Sequence, residues 1–449
     1  MTSRRRLLLT ALMLSAGGAA RSAFASPVDS FGVGARSSAL AGAVAADAKD
    51  FSATYYNPAE LARARNLSLS LGYTHVAPTL RIDGQSQSAS DVNGFTAGLV
   101  APGSIATVPV SFGLALRLPV GHLSKVETVQ REQPEFVLYG NRLQLVHLGL
   151  GVAIRPWPWL NLGAGLAFMA TAHGGFEIQG TAVQPVSGQS EYDSQLQHEI
   201  NADLKTVRYP TLGVTVLPAK DWAFALVFRD QAAVRLDLST RLSGDVDLGM
   251  LALPTRYQLV SQTVNGFVPR QLVLGGSWSP APGASIDIDL SWQQWSGYIS
   301  PLSQSQSRLA VDSPPGSTLT IPPTRSATSA GDPQFKDRVV PRVGAEYRAQ
   351  LTSHWSLPLR AGYSFQPSPA PQQQRDTEFA DADRHTVSLG SGLIWSDPGE
   401  VIWGDVGLDL FAFETLLAPR RFESALTGDR YRASGSVFGG GLDLYLQVH

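Results

Sequence analysis

From Leu67 to the C-terminus the chain repeats one pattern that few folds can accommodate. Apolar and polar residues alternate with a period of two, segment after segment, and the links between segments alternate long and short. SIDIDLSW (285–292) sets Ile286, Ile288, Leu290 and Trp292 against Asp287, Asp289 and Ser291. GLDLYLQVH (441–449), VGLDLFAFE (406–414) and RVGAEYR (342–348) alternate in the same way. A period of two puts successive side chains on opposite faces of a strand. A half-exposed strand of a soluble sandwich would show this too, so strand number, length and connection must decide.

Fourteen candidate strands begin near 67, 92, 107, 142, 159, 198, 221, 267, 284, 337, 354, 383, 400 and 433, most of them ten or more residues long. Globular strands average about 5 to 6 residues, whereas a tilted strand crossing a bilayer needs about 9 to 11. The links near 102–106, 157, 218–221, 280–283, 350–353 and 396–399 are short, and those at 78–91, 120–141, 174–197, 240–265, 298–336, 367–382 and 416–432 are long. An up-and-down barrel of an outer membrane sorts its loops by parity, with short periplasmic turns and longer external loops. In hydrocarbon no open sheet edge is tolerated, so the last strand must pair with the first. The expected fold is all-β: a transmembrane antiparallel β-barrel of about fourteen strands over 67–449. Trp157, Trp159, Trp222, Trp278, Trp355, Trp395 and Trp403 stand beside short turns. Tryptophan favours the membrane–water interface, so this row reads as a periplasmic aromatic girdle.

Composition agrees. Charged residues are 16% of the chain, against about 25% in ordinary soluble domains, and no apolar run reaches the ~18 residues of a membrane helix. A net charge of −2 without basic clusters gives no pull toward nucleic acid. The absence of cysteine excludes disulfides and thiolate metal sites. The eight histidines are dispersed, and neither HExxH nor GxSxG occurs, so neither an enzyme, a metal site nor a cofactor is expected. No phosphate-cradling glycine loop is present either, so transport would be downhill.

Residues 1–25 read as a signal peptide: Arg4, Arg5 and Arg6, a short apolar core, then Ala23-Phe24-Ala25, with the mature chain starting at Ser26. The same arginines fit a twin-arginine signal, but with no cofactor in prospect the general secretory route is favoured. Residues 26–66 are different again. They are rich in Gly and Ala and end in SATYYNPAELARARN. Side chains alone fill barrels only up to about eight strands, and a small-residue segment can pack backbone-close within a wider lumen. Asn57-Pro58 fixes a turn. This composition fits an internal plug or an ordinary N-terminal arm equally.

A resemblance separates them. FGVGARSSALAGAVAADAKDFSATYYNPAELA resembles the N-terminal hatch of the FadL family of outer-membrane transporters, with Gly32, Gly34, Arg36, Asp47, Tyr55, Tyr56, Asn57, Pro58 and Ala59 at the motif positions. VPRQLVLGGSWSP (268–280), WQQWSGY (292–298), FKDRVVPRVGAEYR (335–348) and the S-P-x-P to D-x-D-R block within 359–395 resemble the family's later strands. Residues 120–265 carry no matching motif.

The resemblance implies a hatch inside a fourteen-stranded barrel of the bacterial outer membrane and passive uptake of long-chain fatty acids or similar hydrophobic molecules. The cargo would be captured by external loops, with apolar side chains in 120–142 and 240–268 as candidates. It would be released past the hatch, through a lateral gap where a strand is kinked; Pro109 or Pro119, flanking the third strand, could break its ladder, but simple placement at the strand's ends is favoured. Aromatic-hydrocarbon uptake and a barrel platform for secreted proteins are the alternatives. Expected partners are the hydrophobic solute, outer-membrane lipid and lipopolysaccharide, and the barrel-assembly machinery, with a monomeric barrel. Arg36 would meet Asp47, Asp50 or a ligand carboxylate. Asp287, Asp289, Asp405, Asp409, Arg342, Glu346 and Arg348 would form wall networks. His449 replaces the usual terminal aromatic.

Overall fold

The computed structural model describes residues 32–87, 89, 91–120, 134–139, 146–180, 182–183, 196–247, 252–298, 304–311, 325–326, 333–372, 377–398, 403–424 and 427–448. The signal segment, residues 26–31 and His449 lie outside them. Fourteen strands form the wall: β1 Leu67–Ile82, β2 Val92–Ile105, β3 Val108–Pro119, β4 His147–Trp157, β5 Leu160–Gly180, β6 Leu196–Ala219, β7 Trp222–Arg229, β8 Arg270–Ala281, β9 Ala284–Gln294, β10 Arg338–Gln350, β11 Trp355–Gln366, β12 Arg384–Ser396, β13 Gly404–Glu423 and β14 Arg430–Val448. Each pairs antiparallel with the next. β14 closes the cylinder on β1 in unbroken register from Leu67↔Val448 to Ile82↔Ala433, so no edge faces lipid.

Burial along the strands is inverted relative to a soluble protein. On β9, Ile286, Ile288, Leu290 and Trp292 are exposed, while Asp287, Asp289, Ser291 and Gln293 are buried. An apolar outside around a polar bore is the arrangement of a barrel in lipid. At the short-turn end Trp157 stacks on Trp159, Trp222 on Trp278 and Trp355 on Trp395, with centroids 5.7, 5.6 and 5.1 Å apart. All six are at least partly exposed, as an interfacial girdle requires.

Three readings of the sequence meet their outcome here. Neither Pro109 nor Pro119 breaks the wall: they pair with Ser104 and Gly94, and the β3–β4 register is continuous from Val110↔Ile154 to Arg117↔His147. Pro109 is the second residue of β3 and Pro119 its last, positions where the lost N–H does little harm to a ladder. Second, the long links are not all loops. Ala232–Asp247 pairs with Ala252–Val268, and that strand pairs with Gln304–Val311. The ladder between β6 and β7 stops at Thr211↔Arg229. Beyond it, Leu238–Ser243 runs parallel to Gly174–Gln179 of β5. Third, residues 134–139 of the candidate capture region belong to a buried apolar cluster that extends to Ala35 and Ala39 of the segment before β1 and to Phe411 and Phe413 of β13. There Phe136 and Tyr139 share an apolar cluster with Phe267, Trp295, Phe335 and Phe379. Most other side chains proposed for capture lie outside the described residues.

Candidate functional site

The segment that precedes β1 sits within the ring of strands. It consists of helix α1 Ala35–Ala39, helix α2 Ala53–Tyr56 and a 3-10 helix Pro58–Arg63. Helices this short are not stable alone; packing against the wall holds them. Its contacts reach around the ring from Gly98 of β2 to Asp443 of β14. Inward-facing glycines make the approach possible. A Cβ on Gly163 would collide with Ala59 N, on Gly213 with Asn57 Oδ1, and on Gly362 with the backbone of Leu40.

The local turns follow from the sequence. Gly32 and Gly34 both have φ of 81°, where a side chain is strained, and Gly34 starts α1. Asn57 is extended (φ −161°, ψ 103°), as a residue before proline prefers. Pro58 opens the 3-10 helix, where its missing N–H does no damage. Asn57 Oδ1 accepts from Ala59 N at 3.0 Å, capping that helix. Its Nδ2 donates to Ala45 O at 2.6 Å and to Thr215 Oγ1 of β6 at 2.9 Å. Asn57 thus joins the helix, an earlier turn of the same segment and the wall. Ala59 is fully buried and meets β5 where Gly163 lacks a side chain.

Arg36 holds the charged centre. Its Nη2 donates to Asp47 Oδ2 and its Nη1 to Asp47 O, both at 2.7 Å, and its Nε donates to Glu346 Oε2 of β10 at 2.9 Å. Asp50 is not its partner; Asp50 Oδ1 accepts from Ser52 N instead. Glu346 also takes Arg360 at 2.6 Å, and Arg360 reaches Asp409 at 2.7 Å. Burial alone would raise Asp47, but Lys49, Arg36 and Arg63 together hold it below the usual carboxylate range. Glu60 is pushed up to about 7 by burial, against the pull of Arg63 and of a hydrogen bond with Thr215.

The wall carboxylates have a second task that alternation does not reveal. Asp289 Oδ2 accepts from Val44 N and Ala45 N, both at 3.0 Å, and Asp443 Oδ2 from Ala35 N at 2.5 Å. They satisfy donors of the inner segment that would otherwise be buried without partners. Asp443, Thr215 and Arg229 escape the sequence reading, although their inward positions are legible from the strand period.

Among the described residues, two cavities border the segment. Toward the short turns lies a cavity of about 880 Å³, lined among others by Lys49, Asp50, Lys220, Arg348, Asp405 and Gln447. On the other side a smaller one of about 90 Å³ is lined by Gly42, Tyr56, Arg229, Asp289, Arg342 and Phe413, among others. Tyr55 is buried. Arg229 Nη2 donates to Tyr55 O at 2.6 Å, and its guanidinium lies 4.0 Å from the ring centroid.

A family model described as outer membrane protein transport protein (OMPP1/FadL/TodX) matches residues 13–437. The chain belongs to this family. Alkane uptake protein A of Marinobacter nauticus is 24% identical over 416 residues, covering 86% of this chain and 85% of that one. A long-chain fatty acid transport protein of Salmonella typhi is 24% identical over 255 residues, 55% of this chain and 52% of its own. Among solved structures, a Pseudomonas aeruginosa FadL homologue matches with TM-score 0.57 at 13% identity, covering 95% of this chain and 99% of its own. The Pseudomonas putida toluene transporter TodX matches with TM-score 0.54 at 14% identity, covering 95% and 100%. These structures show the shared barrel fold.

One group in this FadL/TodX barrel has no role in fastening the inner segment. Arg117 faces inward from β3 and is 6% exposed, opposite His147 of β4. Its Nη2 has no hydrogen-bond partner and no carboxylate lies within ion-pair distance among the described residues. His147 Nε2 meets Tyr209 Oη at 2.9 Å. Beside them Ala167, Met169, Tyr209, Ala232 and Val268 form a buried, largely apolar cluster.

Proposed function

We propose that this barrel takes up long-chain fatty acids, or similar amphiphiles with an acidic headgroup, passively across the outer membrane, and that residues 26–66 are its hatch. Family membership supports uptake of hydrophobic compounds, and the relatives' names range from alkanes to long-chain fatty acids. The observation that carries the choice of cargo is Arg117, which has no carboxylate within ion-pair distance among the described residues; a buried guanidinium left so is costly unless an anion joins it. Arg117 next to an apolar cluster suits a carboxylate with a hydrocarbon tail. Each CH₂ of that tail contributes about 0.8 kcal/mol on burial, which separates acyl chains from sugars. The hatch keeps the bore closed to hydrophilic solutes, and cargo moves past it down its gradient.

The test is uptake by cells that lack their own transporters, supplied separately with labelled oleate, hexadecane and toluene. Oleate uptake that falls at least tenfold in Arg117→Gln, with hexadecane uptake unchanged, supports the acid. Equal loss of both, or uptake of hydrocarbons alone in the wild type, refutes it.

A further inference from the structure

Three arginines on the outer surface have no acidic partner among the described residues. Arg81 lies near the end of β1, Arg421 near the end of β13 and Arg432 near the start of β14. All are exposed, and they alternate with buried Leu80, Ile82, Phe422 and Tyr431. Their side chains therefore point away from the bore. Arg421 and Arg432 are direct cross-strand partners, and Arg81 is paired with Ser434, two positions from Arg432. Like charges directly opposite each other destabilise a sheet. Among the described residues no carboxylate lies within ion-pair distance of these three; Glu423 is paired with Arg430 at 3.5 Å, and Asp83 Oδ1 accepts from the backbone N of Arg432. The described residues thus leave the repulsion uncompensated.

The surface below these arginines has an ordered chemistry. Going down β14 on the outward face, Ser434 and Ser436 follow Arg432, and Ser436 pairs with Thr79 of β1 and Leu416 of β13. Phe438 and Leu416 then stand 52% and 55% exposed, with Glu414 of β13 directly across from Phe438, and Leu442 and Leu444 are exposed beyond them. Cations, then hydroxyls, then side chains that are apolar apart from Glu414 succeed one another from the external loops toward the membrane centre. Lipopolysaccharide presents the complementary order: phosphates, sugar hydroxyls, acyl chains. Guanidinium groups match phosphate oxygens as two-pronged donors. We propose that the outward face of β13, β14 and β1 binds one lipopolysaccharide molecule, with a phosphate held among Arg81, Arg421 and Arg432. The phosphate relieves the Arg421–Arg432 repulsion, and the acyl chains run past Phe438 onto exposed Leu442, Leu444, Leu408 and Leu410. This site is outside the bore and independent of cargo.

The test uses the intact barrel in nanodiscs of phosphatidylethanolamine containing bisphosphorylated lipid A, dephosphorylated lipid A or phosphatidylglycerol, with retained lipid counted by native mass spectrometry. The wild type should retain bisphosphorylated lipid A at least tenfold more than either other lipid. The variant R81Q/R421Q/R432Q should lose that preference and keep wild-type uptake. Equal retention of all three lipids by the wild type, or undiminished retention by the variant, overturns the proposal. The comparison of lipids on the wild type stands even if the variant assembles poorly.

Discussion

Arg36 Nε donates to Glu346 Oε2 across 2.9 Å, joining the first turn of the inner segment to the tenth strand of the wall, 310 positions later. Both side chains are nearly buried, at 6% and 11% exposure. Breaking a buried pair by removing one partner leaves an uncompensated charge and costs about 3–5 kcal/mol. Glu346→Gln should therefore loosen the segment without opening the barrel. Hydrogen exchange is expected to rise in residues 33–63 and stay unchanged in the β1–β14 ladder. Asp47 keeps its own hold on Arg36, so Arg36→Ala should have the larger effect.

Asn57 makes three buried hydrogen bonds, to Ala59, Ala45 and Thr215. Asn57→Ala removes the cap, worth about 1 kcal/mol, and leaves Ala45 O and Thr215 to find new partners, at about 1–3 kcal/mol for each buried polar group left unmet. Asn57→Asp keeps the acceptor for Ala59 N but loses both donations. Thermal unfolding of the inner segment should rank wild type above Asn57→Asp above Asn57→Ala. Equal midpoints would show that the side chain is not what seats the 3-10 helix.

A methyl group is enough to test the fit between segment and wall. Gly213→Ala would place its Cβ on Asn57 Oδ1, and Gly163→Ala on the backbone at Ala59. Neither position needs glycine for the strand itself. Both variants should form heat-modifiable barrels of normal mobility and yet show increased permeability to small hydrophilic antibiotics. Gly276→Ala, whose Cβ would meet only the Phe224 ring at 3.7 Å, should remain tight.

Glu60 predicts a pH dependence. Its folded-state value of about 7 lies above the ordinary 4.5, and burial is the main cause. The folded state therefore holds the proton more tightly than the unfolded state. Stability is fully retained below the ordinary value, declines as pH rises between 4.5 and about 7, and levels off above that. The total is of order 3 kcal/mol. Glu60→Gln should flatten this dependence in thermal melts between pH 4 and 8, whereas a decline unaltered in the variant would assign it to other groups.

Much of the wall was legible because hydrocarbon enforces a period of two. β9 and β14 alternate cleanly, and their outward residues are the ones that meet lipid. Above the membrane that constraint lapses. Residues 240–265 read as a loop although Ala232–Asp247 does alternate, with Val234, Leu236, Leu238, Leu242 and Val246 against Arg235, Asp237, Ser239, Arg241 and Asp245; Ala252–Val268 shows no such period. Terminal placement of Pro109 and Pro119, the favoured reading, holds because strand ends need fewer ladder bonds than strand centres. Partners of the inner segment were hard to foresee for another reason. Asp289 and Asp443 accept from backbone N–H groups, and a backbone donor carries no sequence signal. Asp47 and Asp50 were equally placed to meet Arg36 until Ser52 N was found to occupy Asp50.

The most direct test of a hatch-closed barrel is single-channel conductance in planar bilayers, comparing the intact protein with a variant lacking residues 26–62. The account predicts no steady conductance from the intact barrel and a continuous ohmic pore from the shortened one. Indistinguishable traces from barrels of equal heat-modifiable mobility would contradict it.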